Sequence, residues 1–207
     1  MSIIAALSPI VESLKAEQDQ IPPQRKELLQ RLATYVQNKK TEGAAVHLNF
    51  ICTHNSRRSH LAQIWAATAA AHYGIADVHT YSGGTEATAF NPRAVAALQR
   101  VGFQIEAGDG ENPIYQVTYA GDQPPLECFS KVYDHEVNPE GKFAAIMTCS
   151  DADENCPFIP GVELRLALTY DDPKAADDTP EEAQRYDERV RQIGREIFYS
   201  MQLVTEA

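Results

Sequence analysis

An apolar run, Val46 to Cys52, leads into Thr53-His54-Asn55-Ser56-Arg57-Arg58-Ser59, and Leu61, Ile64, Trp65 and Thr68 then recur at helical spacing. Nothing is left over for a long connection, so the chain has to turn from strand into helix through a tight loop. Few folds allow that junction. It belongs to an alternating α/β architecture, and its loop offers backbone N–H groups and the positive end of a helix to whatever lies above it. Cys52 opens the loop and Arg58 stands six positions on, so amide donors and a guanidinium can surround one tetrahedral anion with the thiol beneath it. The same positive field favours a charged sulfur, and Ser59, in the first helical turn, can donate to it.

Strand and helix signals alternate along the rest of the chain. Val78 to Ser82, Phe143 to Thr148 and Leu164 to Thr169 read as strands, and Pro92 to Val101 as a helix closed by Gly102. Thr179-Pro180-Glu181-Glu182 combines an N-cap, a proline at the first helical position and a capping-box glutamate; Ala183, Tyr186, Val190, Ile193, Ile197 and Met201 then give the last helix a buried face. Such alternation predicts a mostly parallel sheet with helices on both faces and a ligand beyond the carboxyl ends of the strands. Cys52, Cys149 and Asp171-Asp172 all fall at such ends.

Before the first strand, Ile3, Ile4, Leu7, Ile10, Val11 and Leu14 predict one helix and, beyond Pro22-Pro23, Leu28, Leu29, Leu32, Tyr35 and Val36 a second. We therefore expect an N-terminal helical extension at 1–44 and the main domain at 45–207. The extension either covers a sheet edge or makes a homodimer, and the sequence does not choose. Within 104–142, Tyr115 to Tyr119 and Cys128 to Val132 alternate as an inserted hairpin would.

Charge and cysteine usage exclude several classes. A net charge of -11 repels nucleic acid and anionic membranes, so the positive potential of an anion site must be local. No run reaches the roughly eighteen apolar residues of a membrane span, and Met1-Ser2-Ile3-Ile4 lacks the basic flank of a secretory signal. A cytoplasmic protein is expected. Four cysteines in 207 residues point to catalytic or metal roles rather than a disulfide framework. Cys149 and Cys156 could be core cysteines or zinc ligands, but their spacing and the lack of a nearby histidine argue against zinc. They stand about two helical turns apart, too far to bond unless the segment between them unwinds. Asp151, Asp153, Glu154 and Asn155 give that segment little apolar surface to hold it down. Cys128 is expected to pack.

Cys52 through Ser59, with the strand before and the helix after, resembles the signature loop of the low-molecular-weight protein tyrosine phosphatase superfamily. Cys149-Ser150-Asp151-Ala152-Asp153-Glu154-Asn155-Cys156-Pro157 resembles the redox segment of the thioredoxin-coupled arsenate reductases built on that fold, and Tyr170-Asp171-Asp172-Pro173 is similar to their general-acid loop. The resemblance spans roughly residues 46–204. It implies an α/β three-layer sandwich around a four-stranded parallel sheet, here with the helical and hairpin additions. It implies that Thr53, His54, Asn55, Ser56, Arg57 and Arg58 bind the oxyanion, that Cys52 attacks arsenate, and that Asp172 protonates the departing oxygen. Cys149 and Cys156 would then relay a disulfide outward to thioredoxin, with no bound cofactor and arsenite as product.

Phosphate and arsenate look alike to such a loop. The alternative is therefore a phosphatase working through a Cys52 phosphoenzyme, which needs Cys52, Arg58 and Asp172 but neither Cys149 nor Cys156. Lys174, after Asp172-Pro173, stands where tyrosine phosphatases commonly carry a tyrosine. A third reading is a module that binds an oxyanion or senses redox state without turnover. Two departures from the pattern stand in the loop: His54 replaces the usual glycine, which predicts backbone strain there, and Arg57 replaces a common cysteine. Some of these reductases hold potassium beside the loop; Asn55 and Ser82 are weak candidates for it, but Gln63 stands where a glutamate is expected.

Overall fold

The computed structural model describes residues 2–155 and 158–205. In chain order it forms α1 (Ser8–Ala16), α2 (Pro23–Thr41), β1 (Val46–Cys52), α3 (Arg58–Tyr73), β2 (Val78–Gly84), α4 (Pro92–Arg100), β3 (Gln104–Ala107), β4 (Tyr115–Thr118), β5 (Leu126–Cys128), β6 (Phe143–Met147), α5 (Ser150–Asn155), β7 (Val162–Ala167) and α6 (Glu182–Thr205). The main sheet is parallel throughout, in the order β2-β1-β6-β7. β1 connects to a neighbour on one side and β6 to a neighbour on the other, so the winding reverses between them. A crevice opens at the carboxyl ends of that pair, as it does in open α/β sheets generally. Cys52 ends β1 there, and Cys149 lies two residues beyond β6. Thr148 ties the two strand ends together, its N–H and hydroxyl both donating to the Ile51 carbonyl at 2.7 and 2.9 Å.

The strands are apolar on both faces, as buried parallel strands have to be. Leu48, Phe50, Ala144 and Ile146 face a large core shared with Ile64 and Trp65 of α3 and Ile193 and Ile197 of α6. Ile51, Ala145 and Met147 face the other way, into a small cluster that contains Cys52, Cys149, Ala152 and Ile159. Both thiols therefore sit on the thin side of the sheet.

Leu14, Leu29, Leu32 and Val36 join the large core. Tyr35 and Lys39 of α2 both reach Glu163 on the edge strand β7, at 2.9 and 2.7 Å. Ile3 and Ile4, expected inside the first helix, precede it: Ile3 bridges Ala120 and the Ile4 N–H donates to Tyr119 O. The helix begins instead at Ser8-Pro9, where proline suits the first helical position. The insertion is a three-stranded antiparallel sheet, β3-β4-β5, rather than a hairpin. Its first strand escapes the sequence pattern because Gln104, Glu106 and Ala107 are all exposed and only Ile105 is half-buried. Among the described residues no helix is long and apolar enough to cross a membrane.

Candidate active site

The loop is built from outside. The carbonyls of Cys52, Thr53 and Ser56 accept the N–H groups of Thr85 (3.1 Å), Glu86 (2.9 Å) and Asn91 (2.8 Å), and the His54 carbonyl accepts the Ser130 hydroxyl at 2.9 Å. In a trans peptide the N–H opposes the C=O. Those four carbonyls are held on the outside of the loop, and the N–H that follows each one points away from its carbonyl's partner. Thr85, Glu86, Asn91 and Ser130 carry no motif, and sequence reasoning missed them. Gly84 offered a signal: a Cβ there would stand 2.3 Å from Glu86 O and 2.6 Å from Thr53 O, so only glycine lets this strand end approach the loop.

Cys52 is buried, with Sγ 3.1 Å from Ser59 Oγ. Ser59 Oγ already accepts from Asn55 Nδ2 at 2.9 Å, which leaves its own hydrogen for the sulfur. Asn55 Oδ1 in turn accepts the Lys131 N–H at 2.9 Å. The left-handed backbone of the loop falls at Asn55, φ 45°, and not at His54. The strain expected at His54 is therefore absent, because the loop places its turn at a residue type that tolerates it. The His54 side chain points to solvent and pairs with Glu86 at 2.9 Å.

Arg58 donates to Tyr170 O at 2.8 Å and pairs with Asp172 at 2.7 Å. Asp172 also accepts the Lys174 N–H at 3.0 Å, capping a short turn. Arg57 departs from expectation. Its guanidinium leaves the loop for Tyr186 Oη (2.7 Å) and Asp177 (3.3 Å), which are bonded to each other at 2.8 Å and hold it partly buried. Ser56 likewise spends its hydroxyl outside, on Ala89 O at 2.7 Å.

Cys149 is buried just before α5 and accepts the Ala152 N–H at 3.4 Å. Thr53, the residue after Cys52, reaches it: Thr53 Oγ1 donates to Asp151 at 2.7 Å and lies 3.4 Å from Cys149 Sγ. That bridge between the loop and the second thiol was not foreseen. The acidic segment is also better held than its composition implied, because Arg165 pairs with Asp153 at 2.6 Å and donates to its carbonyl at 2.6 Å. Cys156 lies outside the described residues.

The candidate potassium ligands are committed elsewhere. Ser82 Oγ lies 3.1 Å from His60 Nδ1 and Gln63 donates to Thr80 O. Burial, and then the charge of buried Lys131, hold the His60 imidazole well below its usual range, so it is neutral. Among the described residues no three His, Cys, Asp or Glu side chains gather as metal ligands. Cys128 is fully buried, and burial pushes its thiol up to about 12, a packing group rather than a nucleophile.

A four-stranded parallel sheet whose switch point carries a cysteine-to-arginine anion loop, faced by an aspartate, defines an enzyme of the low molecular weight phosphatase type. The family model of the low molecular weight phosphotyrosine protein phosphatases matches residues 47–114. The structure is similar to the low molecular weight protein tyrosine phosphatase of T. tengcongensis, with a TM-score of 0.51 at 17% identity over 76% of this chain and 99% of that one. The arsenate reductase of Bacillus licheniformis is 32% identical over 149 residues, 72% of this chain and 89% of the relative, and that of Bacillus subtilis is 30% identical over the same length. The chain belongs to the arsenate reductases of the low molecular weight phosphatase superfamily.

Proposed function

We propose that this chain reduces arsenate to arsenite by a three-thiol relay that ends on thioredoxin. Arsenate enters the loop and takes Arg58 from Asp172. The Cys52 thiolate attacks arsenic, the As–O bond opposite breaks, and Asp172 gives the leaving oxygen its proton. Cys149 then attacks the Cys52 sulfur. The S–As bond breaks with its electron pair remaining on arsenic, which leaves as arsenite, and a Cys52–Cys149 disulfide forms. Cys156 attacks Cys149, releases Cys52 as thiolate and closes a Cys149–Cys156 disulfide. A thioredoxin dithiol reduces that disulfide, so the two electrons delivered to arsenic come finally from the partner. Phe158, 77% exposed just beyond Cys156, supports a surface contact there.

The observation that carries this reading is Cys149: it shares the small apolar cluster with Cys52, and Thr53 lies against it. Phosphate ester hydrolysis has no use for a second thiol. The test compares the parent with Cys149→Ser for thioredoxin-dependent arsenate reduction and for hydrolysis of an aryl phosphate. Reduction is expected to be lost and any hydrolysis kept. Reduction unchanged by the substitution overturns the relay. Efficient hydrolysis by a parent that never reduces arsenate selects the phosphatase instead.

A further inference from the structure

Arg25 lies on α2, in the helical extension that precedes the oxyanion domain, yet its side chain is turned inward with only 15% of it exposed. Its Nε pairs with Glu196 of α6 at 2.8 Å, and Glu196 is 1% exposed. The guanidinium carbon lies over the ring of Tyr170, 4.6 Å from its centre. Tyr170 is buried and begins the segment that ends in Asp172; its N–H donates to Thr148 O at 3.1 Å and its carbonyl accepts from Arg58 at 2.8 Å. One residue thus meets the helical extension through its ring and Arg58 through its backbone carbonyl.

We infer that Arg25 is a positioning residue: through the Tyr170 ring it sets the backbone that presents Asp172. The inference rests on the function proposed above. A planar cation suits this place because it can stack on an aromatic face while it satisfies a carboxylate in its own plane, which an ammonium cannot do. Burial works against the Arg25 charge, but the groups packed around it, Glu196 among them, outweigh that and raise it above its usual range. Glu196 is further fixed by Gln192 Nε2 at 3.3 Å, so the stack has a rigid base. A misplacement of the order of 1 Å at a catalytic group is enough to cost a large factor in rate. The extension would then be part of the catalytic apparatus as well as part of the core.

The test uses the full chain with Arg25→Lys, which keeps a charge beside Glu196 but removes the stacking plane, and Arg25→Ala. In Arg25→Lys, arsenate turnover is expected to fall about tenfold in kcat with KM for arsenate within about twofold, since binding groups stay in place while the acid loses its aim. Amide exchange at 170–172 should quicken while that of α6 stays at the parent rate. In an Asp172→Asn background the same substitution should change kcat by less than about twofold, because the two act through one group. A full tenfold loss in that background, or parent kcat in Arg25→Lys, overturns the inference. Should Arg25→Ala fail to fold, the lysine variant still decides. A parent that never reduces arsenate would refute the function reading and this inference with it, whereas an active parent indifferent to Arg25 refutes the inference alone.

Discussion

The oxyanion loop and the redox segment both follow strand ends of one sheet, yet they are held in opposite ways. The loop at 52–59 is fastened from several segments: its carbonyls are gripped from outside, Asn55 is fixed between Ser59 and Lys131, and Gly84 closes the back. The segment at 149–155 has a short helix, two buried residues, Cys149 and Ala152, and polar ties from two side chains, Thr53 to Asp151 and Arg165 to the carboxylate and carbonyl of Asp153, with about 30% of the Arg165–Asp153 pair exposed. Partly exposed ion pairs contribute about 0–1 kcal/mol. The function proposed above asks the first region to stabilise charge and the second to release. Chemistry that binds an anion in one place and carries a disulfide away from it needs both.

The largest expected effect breaks the rigid side. Gly84→Ala forces a methyl into Thr53 O and Glu86 O, and arsenate turnover should fall about a thousandfold, the scale of losing preorganised donors. Parent-like turnover would mean the loop is not shaped from behind. Asp172→Asn keeps the shape but removes the proton donor, and kcat should fall about a hundredfold, read most clearly in single-turnover arsenite release.

Lys131 tests the cost of that rigidity. Burial lowers its ammonium from the ordinary 10.5 to about 8, so between those values the unfolded chain holds a proton that the folded chain does not. Stability should therefore rise with pH from about 8 to about 10.5 and be flat below, where both states are protonated. Lys131→Met, which keeps the backbone bond to Asn55, should be about 2 kcal/mol more stable than the parent at pH 7. That gain should shrink by pH 10, as denaturation at the two pH values will show. A variant less stable than the parent at pH 7 would reverse the sign of this assignment.

The smallest effect sharpens the releasable side. Arg165→Ala should speed amide exchange in α5 by about threefold to fivefold while turnover stays within about twofold. A large loss of turnover instead would make the segment a rigid part of the site, and the contrast would fail.

Much of this was legible in sequence because it is local. A strand running into a cysteine-to-arginine loop and a helix is written in contiguous residues, and so are the second cysteine's place after β6 and the aspartate before Pro173. The insertion was only half legible, since an exposed strand leaves no apolar alternation to read. Arg57 was read wrongly because adjacency to the loop says nothing of Asp177 and Tyr186, which lie more than a hundred residues away in the chain and draw the guanidinium off. The strain assigned to His54 failed for a related reason: which residue of the loop takes the left-handed angle depends on the atoms that grip its carbonyls.

By itself, then, the order of residues determined the βα junctions, the place of Cys52 and Arg58 at the two ends of one loop, and the sulfur pattern, all of which follow from spacing along one chain. Tertiary structure decided which atoms grip the loop's carbonyls, that Thr53 reaches from the loop to Cys149, and that the Arg25 guanidinium lies over the Tyr170 ring. Those contacts join segments tens to more than a hundred residues apart, and no periodicity records a hydrogen bond between parts of the chain that meet only when the sheet is assembled.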